Sequence, residues 1–214
     1  MLLLCLILSA CTSSENVYEQ IDRVFENDGV NETYRKNTYS KYIDYYVPSD
    51  IHEFQSGFLS SAYDYNNSKL IMNINISGIV NQKYFSDNPF STEGFFDENK
   101  LTYEKKGLYA NSGGKLTEYI YQIFQYEDYY LTYFYSQDVI LYGYCTKSDL
   151  AGMSSRILLM AKGANVKTDD ILNNFTSRDV IDYEKKQVNL FETIMPVNGN
   201  INEFIIGGED LDTD

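Results

Sequence analysis

The chain has 214 residues, with 17 Lys plus Arg against 31 Asp plus Glu and a formal net charge of −14. Its pI is near 4.4. That excess of carboxylates argues against nucleic acid and against electrostatic docking on anionic lipid head groups, both of which select basic surfaces. A single histidine among three cysteines excludes a histidine-rich zinc site.

Met1 is followed by an apolar run, Leu2 to Leu8, then Ser9-Ala10-Cys11 and the polar Thr12-Ser13-Ser14-Glu15. A short apolar core ending in small residues reads as a secretory signal. It falls well short of the ~20 apolar residues that a bilayer span needs. The string Leu8-Ser9-Ala10-Cys11 resembles the lipobox of bacterial lipoproteins, whose signal peptides are cut just before a cysteine. The resemblance implies removal of residues 1–10 and a lipid on Cys11. Residues 11–16 then form a polar tether to the extracytoplasmic face of the cell membrane. One acyl chain anchors only reversibly; mature bacterial lipoproteins carry at least two, so the implied attachment is stable. The alternative, a buried N-terminal helix or strand, does not account for a run that stops at Cys11 and turns Ser/Thr-rich. One feature departs from the pattern: no Lys or Arg precedes Glu15, where a basic n-region is usual. That departure bears on where translation starts. Cys5 lies inside the leader, so after processing Cys145 is left without a disulfide partner and reads as a small buried apolar residue.

Val17, Ile21, Val24 and Phe25 recur at helical spacing, which predicts a helix over about 15–27. Residues 30–41 give no clear pattern. Tyr42 to Val47 reads as a strand stopped by Pro48. Ile51 to Gln55 and Phe58 to Tyr65 read as two more, with Asn66-Asn67 as a turn that tolerates positive φ. Leu70, Met72, Ile74 and Ile76 alternate with polar residues, which predicts a strand closed by Gly78. Residues 81–100 read as a loop carrying Phe90, Phe95 and Phe96, either a binding loop or one pinned to the core by its rings. Four strands follow with short turns between them: Lys100 to Tyr109, Leu116 to Tyr126, Tyr129 to Tyr135 and Val139 to Cys145. Short turns make them antiparallel neighbours. In the last of them both faces are apolar or amphipathic, so both sides of the sheet are expected to be covered.

Ser148 is placed as the cap of a helix whose buried stripe is Leu150, Met153, Ile157, Met160, Ala161 and Ala164. A short helix is expected from Thr168 through Phe175. Another is expected over Asp179 to Thr193, with Val180, Tyr183, Gln187, Leu190, Phe191 and Ile194 on one face, and a strand or packed end over Ile201 to Ile206. Residues 17–206 therefore read as a single α+β domain: an antiparallel sheet with helices packed on it. Residues 207–214 follow Gly207-Gly208 as an acidic disordered tail. A calcium loop there would need an ordered Gly turn and a closing Glu, and has neither. The strand-strand-strand-helix order at 116–164, after a strand ending in Pro48, resembles the PsbP-like α/β/α sandwich. The same layout also suits cystatin-like and other mixed folds.

Catalytic equipment is sparse. His52 has no Gly-x-Ser-x-Gly elbow to serve and reads as a surface or edge residue. No phosphate-binding loop occurs. Carboxylates are plentiful, but no pair sits at a strand end in an apolar setting. Neither a metal nor a cofactor is expected. Nine tyrosines crowd the central strands. Tyr119, Tyr121, Tyr130, Tyr133, Tyr142 and Tyr144 are the candidate binding surface, because tyrosine joins apolar area to a polar tip and is enriched at interfaces. Tyrosine is also a good strand former, so the same six can simply be core. The expected role is a non-catalytic binding or assembly module of the cell envelope with a protein partner. A small-ligand or glycan binder and a hydrolase are the alternatives.

Overall fold

The computed structural model describes residues 16–27, 35–84 and 96–176. The chain is α+β, with a seven-stranded and a three-stranded antiparallel sheet. In the large sheet the strands are β3 (His52–Ser56), β4 (Ser60–Tyr65), β5 (Ser68–Ile74), β6 (Leu101–Ala110), β7 (Leu116–Tyr126), β8 (Tyr129–Ser136) and β9 (Val139–Thr146). Their order is β3-β4-β5-β9-β8-β7-β6. The predicted meander over 100–145 is therefore present, and β9 turns back to pair with β5, with Ile71 opposite Tyr142.

The turns explain the pairing. Asn66 and Asn67 adopt φ of 47° and 62°, as the β4–β5 hairpin requires, while Glu127 at 54° does the same between β7 and β8. Positive φ at consecutive residues matches the twist of the flanking strands, and asparagine tolerates it best. Both outermost strands are interrupted by an irregular register, β3 between Glu53 and Gln55 and β6 between Leu101 and Tyr103.

One face of the large sheet carries the helices. Helix α1 (Val17–Asn27) and α3 (Leu150–Gly163) pack on each other, and α3 packs on β8 and β9. From α1, Phe25 lies on Tyr119 and Tyr121, and Tyr18 stacks on Tyr103 at 5.5 Å. From α3, Met153, Ile157, Met160 and Ala161 are fully buried, as their helical spacing predicts. Close approach of α3 to β9 needs a residue without a side chain: a Cβ on Gly143 would come within 2.7 Å of Met153. This helix face forms the main core, which includes Leu70, Met72, Phe134 and Leu141.

Four expectations are corrected. The strand expected through Ile76 ends at Ile74, and helix α2 (Ile76–Tyr84) follows. Asn75 starts it: its Oδ1 accepts from the Gly78 N–H at 2.9 Å, the cap geometry, while its Nδ2 donates to the Ser136 carbonyl at 2.7 Å. Gly78 thus belongs to the first turn of a helix, and 81–84 are helical rather than loop. Secondly, the strand ending at Pro48 is short, β2 (Ile43–Tyr45). It joins a separate sheet with β1 (Thr38–Tyr39) and β10 (Asn165–Val166). Thirdly, Phe58 stands in the bend before β4, not in a strand. Fourthly, Asp149 occupies the cap position of α3 without a side-chain cap bond. Ser148 bonds Thr146 instead, at 2.8 Å. The helix expected from Thr168 is present as α4 (Thr168–Thr176). The leader, the helix over 179–193, the segment 201–206 and the acidic tail lie outside the described residues.

Candidate functional site

The strand registers divide the six candidate tyrosines between two faces. Tyr126 pairs with Tyr129, Tyr121 with Phe134, Gln122 with Tyr133, and Tyr133 with Tyr142. Alternation along each strand then puts Tyr119, Tyr121 and Tyr130 on the helix face, and Tyr133, Tyr142 and Tyr144 on the far face. They do not form one surface.

On the helix face two hydroxyls are tied down. Tyr121 shares a 2.6 Å hydrogen bond with Ser154 of α3, and Tyr109 donates to Ser136 at 3.0 Å. Burial pushes both phenols well above their ordinary range, and the Tyr119 phenol up to about 12. On the far face several rings meet one another. Tyr133 lies 5.3 Å from Tyr142, and Phe96 packs on Phe124 and Tyr133 at 4.9 and 5.1 Å. Phe96 is thus pinned to the sheet by its ring, one of the two roles expected for that stretch. Burial raises the Tyr142 phenol to about 12 as well. All these phenols stay protonated at neutral pH, so none serves as a base.

The two groups that the sequence offered for nucleophilic chemistry, Cys145 and His52, stand on different strands, β9 and β3. Cys145 is buried on the helix face, and burial lifts its thiol to about 12. A thiol that far up is neither a nucleophile nor a metal ligand near neutral pH. His52 is exposed on the outermost strand β3. Asp22 is held below its ordinary range, chiefly by hydrogen bonds from Lys105 and Tyr103. Glu104 is held down first by Lys106 and then by Gln122. Among the described residues no group of three or more His, Cys, Asp or Glu could hold a metal ion, and no helix is long and apolar enough to cross a membrane. Cys11 lies outside the described residues.

A cleft of about 170 Å³ opens where the small sheet meets the helix face of β3, β4 and β5. Its floor is Met72, Ile74 and Ser61. One wall comes from β1 and β2, with Tyr39, Ser40 and Tyr45, and the other from the β3–β4 turn, with Ser56 and Phe58. At its base the Tyr45 and Tyr63 hydroxyls share a 2.6 Å hydrogen bond. Burial raises both phenols, so the pair is neutral. The Ser40 hydroxyl is buried with no hydrogen-bond partner among the described residues. The rim is apolar and exposed: Tyr39 is 71% and Phe58 56% exposed. Glu53 supplies a carboxylate at the mouth.

Sequence reasoning missed this cleft, because its residues come from three separate stretches, 38–45, 53–61 and 72–74. One local signal was present: a phenylalanine directly after Gly57 in a turn has no strand face on which to bury itself.

No family model, no curated protein and no solved structure matches this chain.

Proposed function

We propose that the chain is a membrane-anchored extracytoplasmic lipoprotein, held by a lipid on Cys11, that works as a non-catalytic binding module of the cell envelope. The cleft beside the small sheet is its binding site. The observation that carries this reading is the pairing of two large exposed aromatics, Tyr39 and Phe58, with a partly polar cavity between them. Exposed aromatics around a concave, partly polar centre suit an interface anchor, where a partner's side chain enters and the rim excludes water. A cavity of about 170 Å³ is small for a drug-sized ligand, whose pockets run from about 300 Å³. An inserted side chain of a protein partner therefore fits better than a free small molecule. The lowered carboxylates and the protonated Cys145 thiol favour binding over hydrolysis. The PsbP-like sandwich is the finer fold we favour, on strand and helix order alone.

Two measurements test this. In the expressed precursor, Cys11→Ala should move the protein from the membrane to the soluble fraction. An unchanged membrane fraction overturns the anchor. A photocrosslinking residue at Tyr39 in intact cells should give a discrete adduct that falls several-fold with Phe58→Ser. The same probe at Glu118, exposed on the far face, should not give it. No adduct at 39, or the same one from both positions, overturns the cleft as the binding site.

A further inference from the structure

The cleft beside the small sheet is uneven in charge. Among the described residues that line it, Glu53 is the charged one, and no lysine, arginine or histidine joins it. Glu53 lies opposite Tyr63 on β4, so the two share a face of the sheet. Tyr63 is the residue whose hydroxyl meets that of Tyr45 at the base of the cleft. The register of β3 breaks just after Glu53, and such a break re-aims the side chains around it. Phe54 lies 4.5 Å from the Lys69 Nζ, while Glu53 stays on the cleft. No ion pair among the described residues engages Glu53. Lys167, directly after β10, is held by Asp44 and by the Ser40 carbonyl, each at 2.8 Å.

The other groups around the cleft suit a cationic guest. The Tyr39 and Phe58 rings are exposed at the rim, and an aromatic face attracts a cation. The Met72 and Ile74 floor is apolar and accepts the alkyl stem that lysine and arginine bury beneath a charged head. Ser40, Ser56 and Ser61 also line the cleft, and a hydroxyl oxygen accepts from an ammonium or a guanidinium. The Ser40 Oγ is buried with no hydrogen-bond partner among the described residues. An anionic guest would meet Glu53 with no lining cation to hold it.

We propose that the cleft takes a lysine or arginine side chain of a protein partner, its stem on the Met72 and Ile74 floor and its cationic head at the rim formed by Tyr39, Phe58 and Glu53. The inference rests on the cleft being the binding site and adds the charge of what enters it. The formal net charge of −14 also attracts a basic partner from a distance.

The absence of tryptophan supplies the test. Tyr39→Trp in the full chain sets a single indole at the rim. Its emission is followed while capped glycine peptides with a central lysine, arginine, norleucine or glutamate are added. The lysine and arginine peptides should shift the emission saturably and bind about three- to tenfold more tightly than the norleucine peptide. The glutamate peptide should not bind. Glu53→Gln should bring lysine and arginine down to the level of norleucine, whereas Glu118→Gln, on the far face, should change nothing. Glu53 is exposed on an outer strand, so its replacement leaves the core intact. A norleucine peptide that binds as tightly as the cationic ones, a preference unaltered by Glu53→Gln, or no binding by any peptide overturns the proposal. The crosslink at position 39 in intact cells separates this failure from that of the cleft itself. Glu53→Lys should abolish that adduct. An undiminished adduct keeps the cleft as the binding site and overturns the cation, and no adduct in the parent chain overturns both.

Discussion

The two faces of the seven-stranded sheet use the same amino acid in different ways. On the helix face two buried tyrosines have a fixed hydroxyl partner, Tyr121 with Ser154 and Tyr109 with Ser136, while Tyr119 stacks on Phe134 at 5.5 Å. On the far face tyrosines meet one another ring to ring, as in Tyr133 with Tyr142 and Tyr129 with Tyr144 at 5.1 Å. A hydrogen bond to a specified partner fixes position and direction, whereas ring stacking tolerates sliding. The helix face is therefore held more by directed hydroxyl bonds, and the far face more by ring packing.

The sharpest way to break that contrast is to remove bulk. Phe134→Ala, at the centre of the helix-face core with no exposed area, should cost about 3–5 kcal/mol. Leu131→Ala, nearer the rim of the far face, should cost about 2 kcal/mol, at the low end of such truncations. Equal losses in urea unfolding would mean that the two faces carry equal weight. A finer cut removes only the hydroxyl. Tyr121→Phe should cost about 1 kcal/mol, because Ser154 keeps its 2.7 Å bond to the Leu150 carbonyl. Tyr133→Phe should change stability by less than ~0.5 kcal/mol. The reverse order would show that the far face is the more polar-specified of the two.

The smallest effect is electrostatic and confined to the helix face. Lys105 lies 2.7 Å from Asp22 and Tyr103 donates to it at 2.8 Å, holding the Asp22 carboxyl below its ordinary range. A folded-state pKa below the unfolded one adds stability above the unfolded value, and that stability is lost as pH falls through the folded value. Asp22→Asn should therefore destabilise at neutral pH, and the gap from the parent should close as pH drops below the normal carboxylate range. Asp22 is nearly half exposed, so the gap should be under ~1 kcal/mol. A gap that is constant with pH would assign the effect to packing.

What the sequence disclosed follows from how local each signal is. The β7–β9 strands were legible because alternation and two-residue turns are both read within a dozen residues. The face assignment was within reach too. Once Glu127-Asp128 is a two-residue turn, Tyr126 must face Tyr129 and the parity of every later tyrosine follows. Helix α2 was hidden because Ile76 continues the alternation of β5 by coincidence, and the capping role of Asn75 shows only when its Oδ1 is seen on the Gly78 N–H. The small sheet was beyond local reading. Ile43 pairs with Val166, and Asp44 with Asn165, across most of the described chain. The cleft depends on that sheet and shared its obscurity.

The broken registers of β3 and β6 carry a last consequence. A sheet ends in rows of unpaired amides and carbonyls, and two flat ends on neighbouring molecules would zip together. Here each outer strand is kinked, and Lys105 and Lys106 sit in the middle of β6. Were the proposed lipid anchor to gather copies on one surface, facing the same way, pairing of such ends would be the hazard. Irregular registers, with Lys105 and Lys106 on one of the two edges, disfavour that pairing.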